Sequence, residues 1–317
     1  MNIILLLVGL GLIVLGADWL VDGASAIARR AGVSEFVIGL TIVGFGTSCP
    51  ELVVSLTGAI QGNADIAIGN VVGSNIFNAL FILGLTALLM PVSMTDANRK
   101  RDIPITLSVS LLLICFGMSR TLFGIGAADS ISRIEGAAFL LIFSGYLWYC
   151  FKFDAKEQGE TPGQKHMKLP LAITAVVAGL AGLIFGGELF VDSATSLARS
   201  IGVSDKFIAI TVLAGGTSFP ELATCIVAAA KHRDQLALGN ILGSNVFNIL
   251  LILGCSSVIT PLSFGGMNLV DASALIVSCL MLLIWAYTGR KCRIDRWEDA
   301  LMLLAFAAYY YYLFVKL

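Results

Sequence analysis

The sequence is a succession of apolar runs, each long enough to cross a lipid bilayer. Of its 317 residues, 57% are hydrophobic and 13% are charged, about half the charged share of a soluble domain. About 20 apolar residues span the hydrocarbon core as a helix. We therefore predict an all-α polytopic membrane protein with ten transmembrane helices. The predicted spans are 3–28, 34–60, 65–90, 103–119, 133–152, 169–195, 204–230, 235–260, 271–288 and 297–315.

The two halves of the chain repeat each other. A shift of 170 residues superposes them without a gap, and about 30 of the 71 positions from Val21 to Pro91 are identical to their partners. Apolar composition alone does not place Asn, Ser, Glu and Pro in step like this. We predict a first five-helix repeat at 1–152 with its motif at 44–84, a linker at 153–168, and a second five-helix repeat at 169–317 with its motif at 214–254.

The basic residues predict that the second repeat is inverted relative to the first. Five spans are an odd number, so the second half enters the membrane from the opposite side. With both chain termini outside, the inner connections carry 15 of the 20 Lys and Arg residues, as the positive-inside rule requires. The linker at 153–168 is then cytoplasmic. Inverted repeats with interrupted helices are typical of secondary transporters, whose binding sites lie near the midplane.

Predicted spans 2 and 7 carry the same helix-breaking motif. It reads GTSCPE at Gly46–Glu51 and GTSFPE at Gly216–Glu221. Proline removes a backbone donor and frees carbonyl oxygens of the preceding turn, and freed carbonyls persist at membrane depth only inside protein or beside a wet cavity. We therefore predict that helices 2 and 7 are broken here. Carboxylate, hydroxyl and carbonyl oxygens then form a set of ligands for a hard cation.

Spans 3 and 8 add a polar stripe, because residues four apart share one face of a helix. Such a stripe has two readings, interhelical hydrogen bonding or ion binding, and the neighbouring duplicated glutamate favours ion binding. Asn75 and Asn245 lie off the stripe and are expected to be structural. The stripe consists of Asn70, Ser74 and Asn78 in span 3, and of Asn240, Ser244 and Asn248 in span 8.

Glycines at four-residue spacing accompany each stripe. Gly69 and Gly73 lie in span 3, and Gly239 and Gly243 repeat them in span 8. Small residues at this spacing allow two helix backbones to approach closely. We predict tight helix packing at both pairs.

Glu51 and Glu221 are the strongest functional candidates. An ionisable residue at the centre of a membrane helix costs about 3 kcal/mol or more. No Lys or Arg lies inside a predicted span near either glutamate, so the balancing charge is expected to come from a bound cation rather than from a buried base. Two carboxylates match the charge of one Ca²⁺, and the wider oxygen cage has room for about two or three Na⁺.

A second acidic pattern occurs in spans 1 and 6. For these four acids we favour a structural or capping role over a role in ion access, because they lie toward the helix ends that carry Arg29 and Arg199. The acids are Asp18 and Asp22 in span 1, and Glu188 and Asp192 in span 6.

The remaining polar residues favour a transporter over an enzyme or a nucleic-acid-binding protein. The seven cysteines show no CxxC spacing and the two histidines fall in polar connections, so we expect no zinc site and no cofactor. There is no Ser/His/Asp set and no phosphate loop. The basic residues 99–101 orient the chain in the bilayer, and the first span is expected to be a retained helix rather than a signal peptide. We expect a monomer with no obligatory protein partner.

At GTSCPE and GTSFPE, each followed by GNxxGSNxFN, the sequence resembles the calcium/cation antiporter superfamily, specifically its prokaryotic sodium/calcium exchangers. The resemblance covers essentially the whole chain. It implies exchange of Ca²⁺ against Na⁺, or H⁺ in some branches, with helices 1 and 6 sliding across a rigid core. It also implies a metal site in which Glu51 and Glu221 bind both ions. The further ligands that it implies are backbone carbonyls at or near Gly44, Thr47, Ala214 and Thr217, the hydroxyls of Ser48, Ser74, Ser218 and Ser244, and the amides of Asn78 and Asn248.

The sequence departs from the family pattern in one place. Some exchangers carry an aspartate at one of the last two corners, whereas Asn78 and Asn248 are both amides here. This bears on the Na⁺ stoichiometry and on proton coupling. We predict an electrogenic Na⁺/Ca²⁺ antiporter that exports Ca²⁺ across the plasma (inner) membrane of a prokaryote. A Ca²⁺/H⁺ exchanger is the alternative, and a passive cation channel is the rival from a different class.

Overall fold

The polypeptide is almost entirely helical, because a helix pairs its own backbone polar groups inside a lipid. The computed structural model describes residues 2–153, 167–201, 214–288, 293 and 296–316. Two short strands, β1 (Ser130–Ile131) and β2 (Leu262–Ser263), pair antiparallel. The helices are α1 (Asn2–Ala31), α2 (Glu35–Thr47), α3 (Cys49–Ile60), α4 (Ala64–Leu89), α5 (Ile103–Gly117), α6 (Ser119–Phe123), α7 (Arg133–Phe153), α8 (Leu169–Ser200), α9 (Ala214–Gly216), α10 (Phe219–Ala230), α11 (Asp234–Ile259), α12 (Leu269–Thr288) and α13 (Arg296–Lys316).

The helices are long and apolar enough for a polytopic membrane protein. Seven helices of the described chain meet the length and hydropathy of a membrane span, and the broken pair α2 and α3 makes eight. Helix α5 has 15 residues and α10 has 12, and the part of predicted span 7 before residue 214 lies outside the described residues. The all-α membrane fold is thus confirmed, while the count of ten spans stays a prediction.

The helices gather into two units, and each unit draws segments from both sequence repeats. The first unit comprises Met1–Ser48, Tyr149–Gly243 and Tyr310–Leu317, and the second comprises Cys49–Trp148 and Ser244–Tyr309. The two packing units therefore do not coincide with the predicted sequence repeats at 1–152 and 169–317. The division into repeats stays a prediction about topology.

In the first unit, α1 and α8 pack backbone against backbone. Gly9, Gly16 and Gly23 recur every seven residues along α1 and face α8. A Cβ atom added at Gly16 would lie 2.7 Å from the carbonyl oxygen of Gly179 and 2.8 Å from the amide nitrogen of Leu183. Because real Cβ atoms do not approach backbone so closely, only glycine permits this contact.

The first turns of α11 pack against α2 in the same way. A Cβ at Gly243 would lie 2.6 Å from the carbonyl oxygen of Leu40, and a Cβ at Gly39 would lie 2.5 Å from that of Leu236. A Cβ at Gly239 would overlap the carbonyl oxygen of Phe36. Close helix packing at Gly239 and Gly243 is thus confirmed.

The same prediction for span 3 stays a prediction. Apart from their own helix backbone and chain neighbours, nothing in the described part of the chain lies within 4 Å of a Cβ placed at Gly69 or Gly73. In the repeat, the positions equivalent to Phe36 and Leu40 are 206 and 210, which lie outside the described residues.

The connection after α10 holds a histidine in a backbone conformation that favours glycine. His232 has φ 56°, and its repeat mate Gly62, after α3, has φ 75°. The two turns share one hydrogen-bond pattern: the His232 amide donates to Ala229 O at 2.9 Å and the Gly62 amide donates to Ala59 O at 3.1 Å. The left-handed region costs a residue with a Cβ about 1–2 kcal/mol, so His232 is strained where the first repeat is not.

We expect His232→Gly to stabilise the protein by about 1 kcal/mol, since the relief of strain exceeds the entropy that glycine adds to the unfolded chain. The thermal denaturation midpoint of the detergent-solubilised protein, followed by circular dichroism, should rise. The reverse substitution Gly62→His is the matched control and should lower the midpoint. A lower midpoint for His232→Gly would refute the assignment of strain.

Candidate cation site

Both motifs sit at a break between two helical segments. Helix α2 ends before Ser48, whose φ is −84° and ψ is 7°, and α10 begins after Ser218, whose φ is −92° and ψ is 6°. Each proline lies in the first turn of the new helix, where a missing N–H donor costs little. Glu51 and Glu221 follow directly, in the first turns of α3 and α10, where the helix dipole favours a negative charge. The predicted breaks in spans 2 and 7, at Ser48 and Ser218, are confirmed.

In the first unit, Glu221 lies in a shell of polar side chains. Its side chain is fully buried, and the Ser48 hydroxyl donates a hydrogen bond to Oε1 at 3.0 Å. Asn240 donates to the backbone oxygen of Glu221 at 3.5 Å and to the sulfur of Cys225 at 3.3 Å. The Thr47 hydroxyl lies 3.0 Å from Asn240 Oδ1. Asn240 therefore ties the two segments that carry Thr47 and Glu221 to α11.

In the second unit, Glu51 has a comparable shell. It too is fully buried, and the Ser74 hydroxyl lies 3.4 Å from its Oε1. Asn70 donates to the backbone oxygen of Glu51 at 3.1 Å and to Ser55 Oγ at 3.0 Å. Asn70 thus repeats the contacts of Asn240. For these two members of the polar stripe, the amide nitrogens serve interhelical hydrogen bonds.

Four further asparagines link α4 and the later turns of α11 inside the second unit. Asn75 donates to the backbone oxygen of Asn245 at 3.1 Å, and Asn245 donates to that of Asn75 at 3.5 Å. Asn78 donates to Asn245 Oδ1 at 3.2 Å, and Asn248 donates to Asn75 Oδ1 at 3.0 Å. The expected structural role of Asn75 and Asn245 is consistent with these contacts.

The last members of the polar stripes lie at irregular turns of their helices. Helix α4 contains a π-helical turn at Phe77–Ile82 and α11 contains one at Asn248–Leu253. These turns occupy nearly equivalent positions of the repeat. Inserted π-turns are frequent at functional sites, and these two place Asn78 and Asn248 within them.

The other predicted ligands are buried or lie beside the breaks. Ser218 and Ser244 are fully buried. The hydroxyl oxygen of Thr217 is buried and has no hydrogen-bond partner in the described part of the chain. The carbonyl oxygen of Gly44 accepts the Ser48 amide at 3.1 Å, and Ala214 begins the single turn α9.

The acidic residues of α1 have a basic partner that the sequence pattern did not indicate. Lys231, at the end of α10, lies 2.7 Å from Asp18 Oδ1 and 2.6 Å from Asp22 Oδ1. The sequence pattern alone favours Arg29 as the basic neighbour instead. Glu188 and Asp192, the repeat mates of these aspartates, are exposed and form no ion pair within the described residues. The ion pair on α1 supports a structural role for Asp18 and Asp22.

The paired motifs, the breaks and the buried glutamates agree with a family match. The family described as "Sodium/calcium exchanger protein" matches residues 1–152 and 171–315. The chain belongs to the sodium/calcium exchanger family. The match covers both sequence repeats, and it confirms the resemblance found from the duplicated motifs. Members of this family are ion exchangers, so the chain is a multi-pass transporter of that class.

Individual proteins resemble this exchanger over nearly its full length. It is 39% identical to CaxA of Alkalimonas amylolytica, with 98% of each chain covered. It is 35% identical to the sodium/calcium exchanger MaX1 of Methanosarcina acetivorans, with 99% of this chain and 98% of MaX1 covered. Its fold matches the sodium-calcium exchanger NCX_Mj with a TM-score of 0.82, 32% identity and 97% of each chain covered.

Proposed function

We propose that this exchanger transports Ca²⁺ against Na⁺ and that Glu51 and Glu221 are ligands of both ions. One observation carries the proposal: each motif holds a fully buried glutamate whose Oε1 lies within hydrogen-bond reach of a serine hydroxyl. The names of MaX1 and NCX_Mj, both sodium/calcium exchangers, support the choice of ions.

The ligands fit hard cations. Carboxylate, hydroxyl, amide and carbonyl oxygens are the donors that Ca²⁺ selects, typically six to eight at a time, and Na⁺ is also a hard cation. A hydroxyl that donates to a carboxylate can rotate and turn its lone pairs toward an arriving cation. The further ligands that we propose are the hydroxyls of Ser48, Ser74, Ser218 and Ser244, the backbone oxygens of Gly44, Thr47, Ala214 and Thr217, and the amide oxygens of Asn78 and Asn248.

Competition for shared oxygens accounts for obligatory exchange. An empty site with two ionised glutamates carries a charge that cannot cross an apolar region without a large desolvation cost. A bound Ca²⁺, or a set of Na⁺ ions, neutralises that charge. The loaded protein can therefore change its accessible side, whereas the empty protein cannot.

We further propose that exchange is electrogenic, exports Ca²⁺, and takes place in the plasma (inner) membrane of a prokaryote. The many basic residues of the predicted inner connections support an orientation with both termini outside and the linker at 153–168 in the cytoplasm. A monomer is sufficient, since the chain itself supplies both glutamates.

The driving ion is tested in proteoliposomes under three conditions: a Na⁺ gradient, choline in place of Na⁺, and choline with a pH gradient. We expect Ca²⁺ uptake when the vesicles are loaded with Na⁺, and none when choline replaces Na⁺, with or without a pH gradient. Uptake driven by the pH gradient alone would identify a Ca²⁺/H⁺ exchanger instead. Uptake that continues with no counter-cation, at more than about 10⁶ ions per second per protein and thus far above conformational turnover, would identify a channel.

A further inference from the structure

The asparagine relay, defined as Asn75, Asn78, Asn245 and Asn248, has an amide orientation that two backbone atoms determine. The Asn245 side chain reaches the carbonyl oxygen of Asn75, and the Asn75 side chain reaches that of Asn245. A carbonyl oxygen only accepts hydrogen bonds, so each of these side chains must present its Nδ2 there. Each Oδ1 must then point the other way.

The orientation of Asn245 determines that of Asn78, and the orientation of Asn75 determines that of Asn248. The Oδ1 of Asn245 lies 3.2 Å from the side chain of Asn78, so Asn78 must present its Nδ2 to it. By the same logic Asn248 presents its Nδ2 to Asn75 Oδ1 at 3.0 Å. A flipped amide at Asn78 or Asn248 would set two acceptor oxygens against each other. Such a buried mismatch is unfavourable.

The relay ends on two buried acceptor oxygens. Asn78 and Asn248 are fully buried, and their Oδ1 atoms have no hydrogen-bond partner in the described part of the chain. Most buried polar atoms in proteins are paired, so two unpaired amide oxygens at equivalent positions indicate a place for a ligand. That ligand must be a donor or a cation.

We propose that Asn75 and Asn245 are positioning residues that hold the amide oxygens, rather than the amide nitrogens, of Asn78 and Asn248 toward the transported cation. This inference rests on the proposed function. Asn75 and Asn245 then affect ion binding only through the orientation of Asn248 and Asn78. Without them, Asn78 and Asn248 are free to turn their nitrogens, which repel a cation, toward the site.

Replacing the ligand asparagine by aspartate distinguishes a positioning role of Asn75 from a packing role. A carboxylate presents an oxygen whichever way it is turned, so the Asn248→Asp variant no longer depends on Asn75 for orientation. We expect Asn75→Leu to raise the half-saturating Ca²⁺ concentration for Na⁺-driven uptake at least about 10-fold, the range seen when groups that orient a metal ligand are removed. In the Asn248→Asp background the same change should be less than about 2-fold.

The mirrored cycle of Asn245→Leu with Asn78→Asp should give the same result. The Ca²⁺-dependent rise in denaturation midpoint of the purified protein provides a second readout that does not need transport. Asn98→Leu controls for the loss of a buried asparagine elsewhere, since Asn98 is also buried and hydrogen-bonds Asp102 at 3.1 Å.

Equal Ca²⁺ shifts with and without the aspartate would overturn the positioning role, as would no shift at all. If the relay variants do not fold while Asn98→Leu does, the four amides serve folding and the proposal is wrong. Absence of Na⁺-driven Ca²⁺ uptake by the wild-type protein would instead overturn the proposed function, and the denaturation cycle would still report on the relay.

Discussion

Glu51→Gln and Glu221→Gln are each expected to lower Na⁺-dependent Ca²⁺ uptake at least about 100-fold. Each change replaces a carboxylate by a neutral amide of the same shape, so the site loses one unit of negative charge and keeps its volume. A loss of about 3 kcal/mol in the binding of a divalent cation corresponds to this factor. Both carboxylates are fully buried, so solvent cannot compensate. Initial rates of radioactive calcium uptake into Na⁺-loaded proteoliposomes measure the effect.

Glu135→Gln is the matched control for these two variants. Glu135 forms a capping box at the start of α7, in which its Oε2 accepts the amide of Ser132 at 2.7 Å, and glutamine serves the same role in such boxes. This variant should retain wild-type transport. Normal exchange by either Glu51→Gln or Glu221→Gln would show that the ion ligands have been assigned to the wrong residues.

Gly243→Ala is expected to destabilise the protein by about 1–3 kcal/mol, the usual cost of overpacking. The added methyl group would lie 2.6 Å from the carbonyl oxygen of Leu40 and 2.7 Å from its Cα. Both atoms belong to the backbone of α2 and cannot turn away as a side chain could. Thr47 ends α2 and Ser48 follows it directly, so the displacement is expected to reduce transport as well. The thermal denaturation midpoint in detergent measures the loss of stability.

Gly145→Ala separates this steric effect from helix propensity. Gly145 is exposed on α7, and apart from its own helix backbone and chain neighbours no described residue lies within 4 Å of a Cβ placed there. Alanine is about 1 kcal/mol better than glycine inside a helix, so this variant should be neutral or slightly more stable. If Gly243→Ala behaved in the same way, the backbone contact between α2 and α11 would not be tight.

Sequence reasoning reached the features that rest on local rules. Prolines predicted the breaks near Ser48 and Ser218, because a proline cannot continue the hydrogen bonding of a preceding turn. Apolar length predicted the helices. The absence of nearby bases predicts that Glu51 and Glu221 are functional, and this stays a prediction. Each of these follows from a few adjacent residues and the properties of the bilayer.

Features that depend on which helices meet could not be reached in this way. The pairing of Lys231 with Asp18 and Asp22 has no counterpart in the first repeat, where position 61 is a glutamine, so the internal symmetry gave no hint of it. The four-residue spacing predicts a single set of residues, yet Asn70 and Asn240 donate hydrogen bonds to the backbone oxygens of Glu51 and Glu221. Their spacing is the same as that of the proposed ligands, and only the contacts distinguish them.

The asparagine relay illustrates the same limit at the level of single atoms. The sequence shows that Asn75 and Asn78 are three residues apart, which puts them on neighbouring parts of one helix face. It does not show that the side chain of Asn75 binds a carbonyl of another helix. The choice between an amide oxygen and an amide nitrogen at Asn248 follows from that contact, because Asn248 donates to the Oδ1 of Asn75.

The most direct test of the shared-oxygen site is an equilibrium binding measurement on the purified protein. Radioactive calcium bound to the wild-type protein is measured as Na⁺ is raised, with choline holding the ionic strength constant. If Na⁺ and Ca²⁺ use the same oxygens, Na⁺ will displace bound Ca²⁺ completely, and Glu51→Gln and Glu221→Gln will each lose Ca²⁺ binding. Calcium binding that persists unchanged at saturating Na⁺ would contradict a shared site.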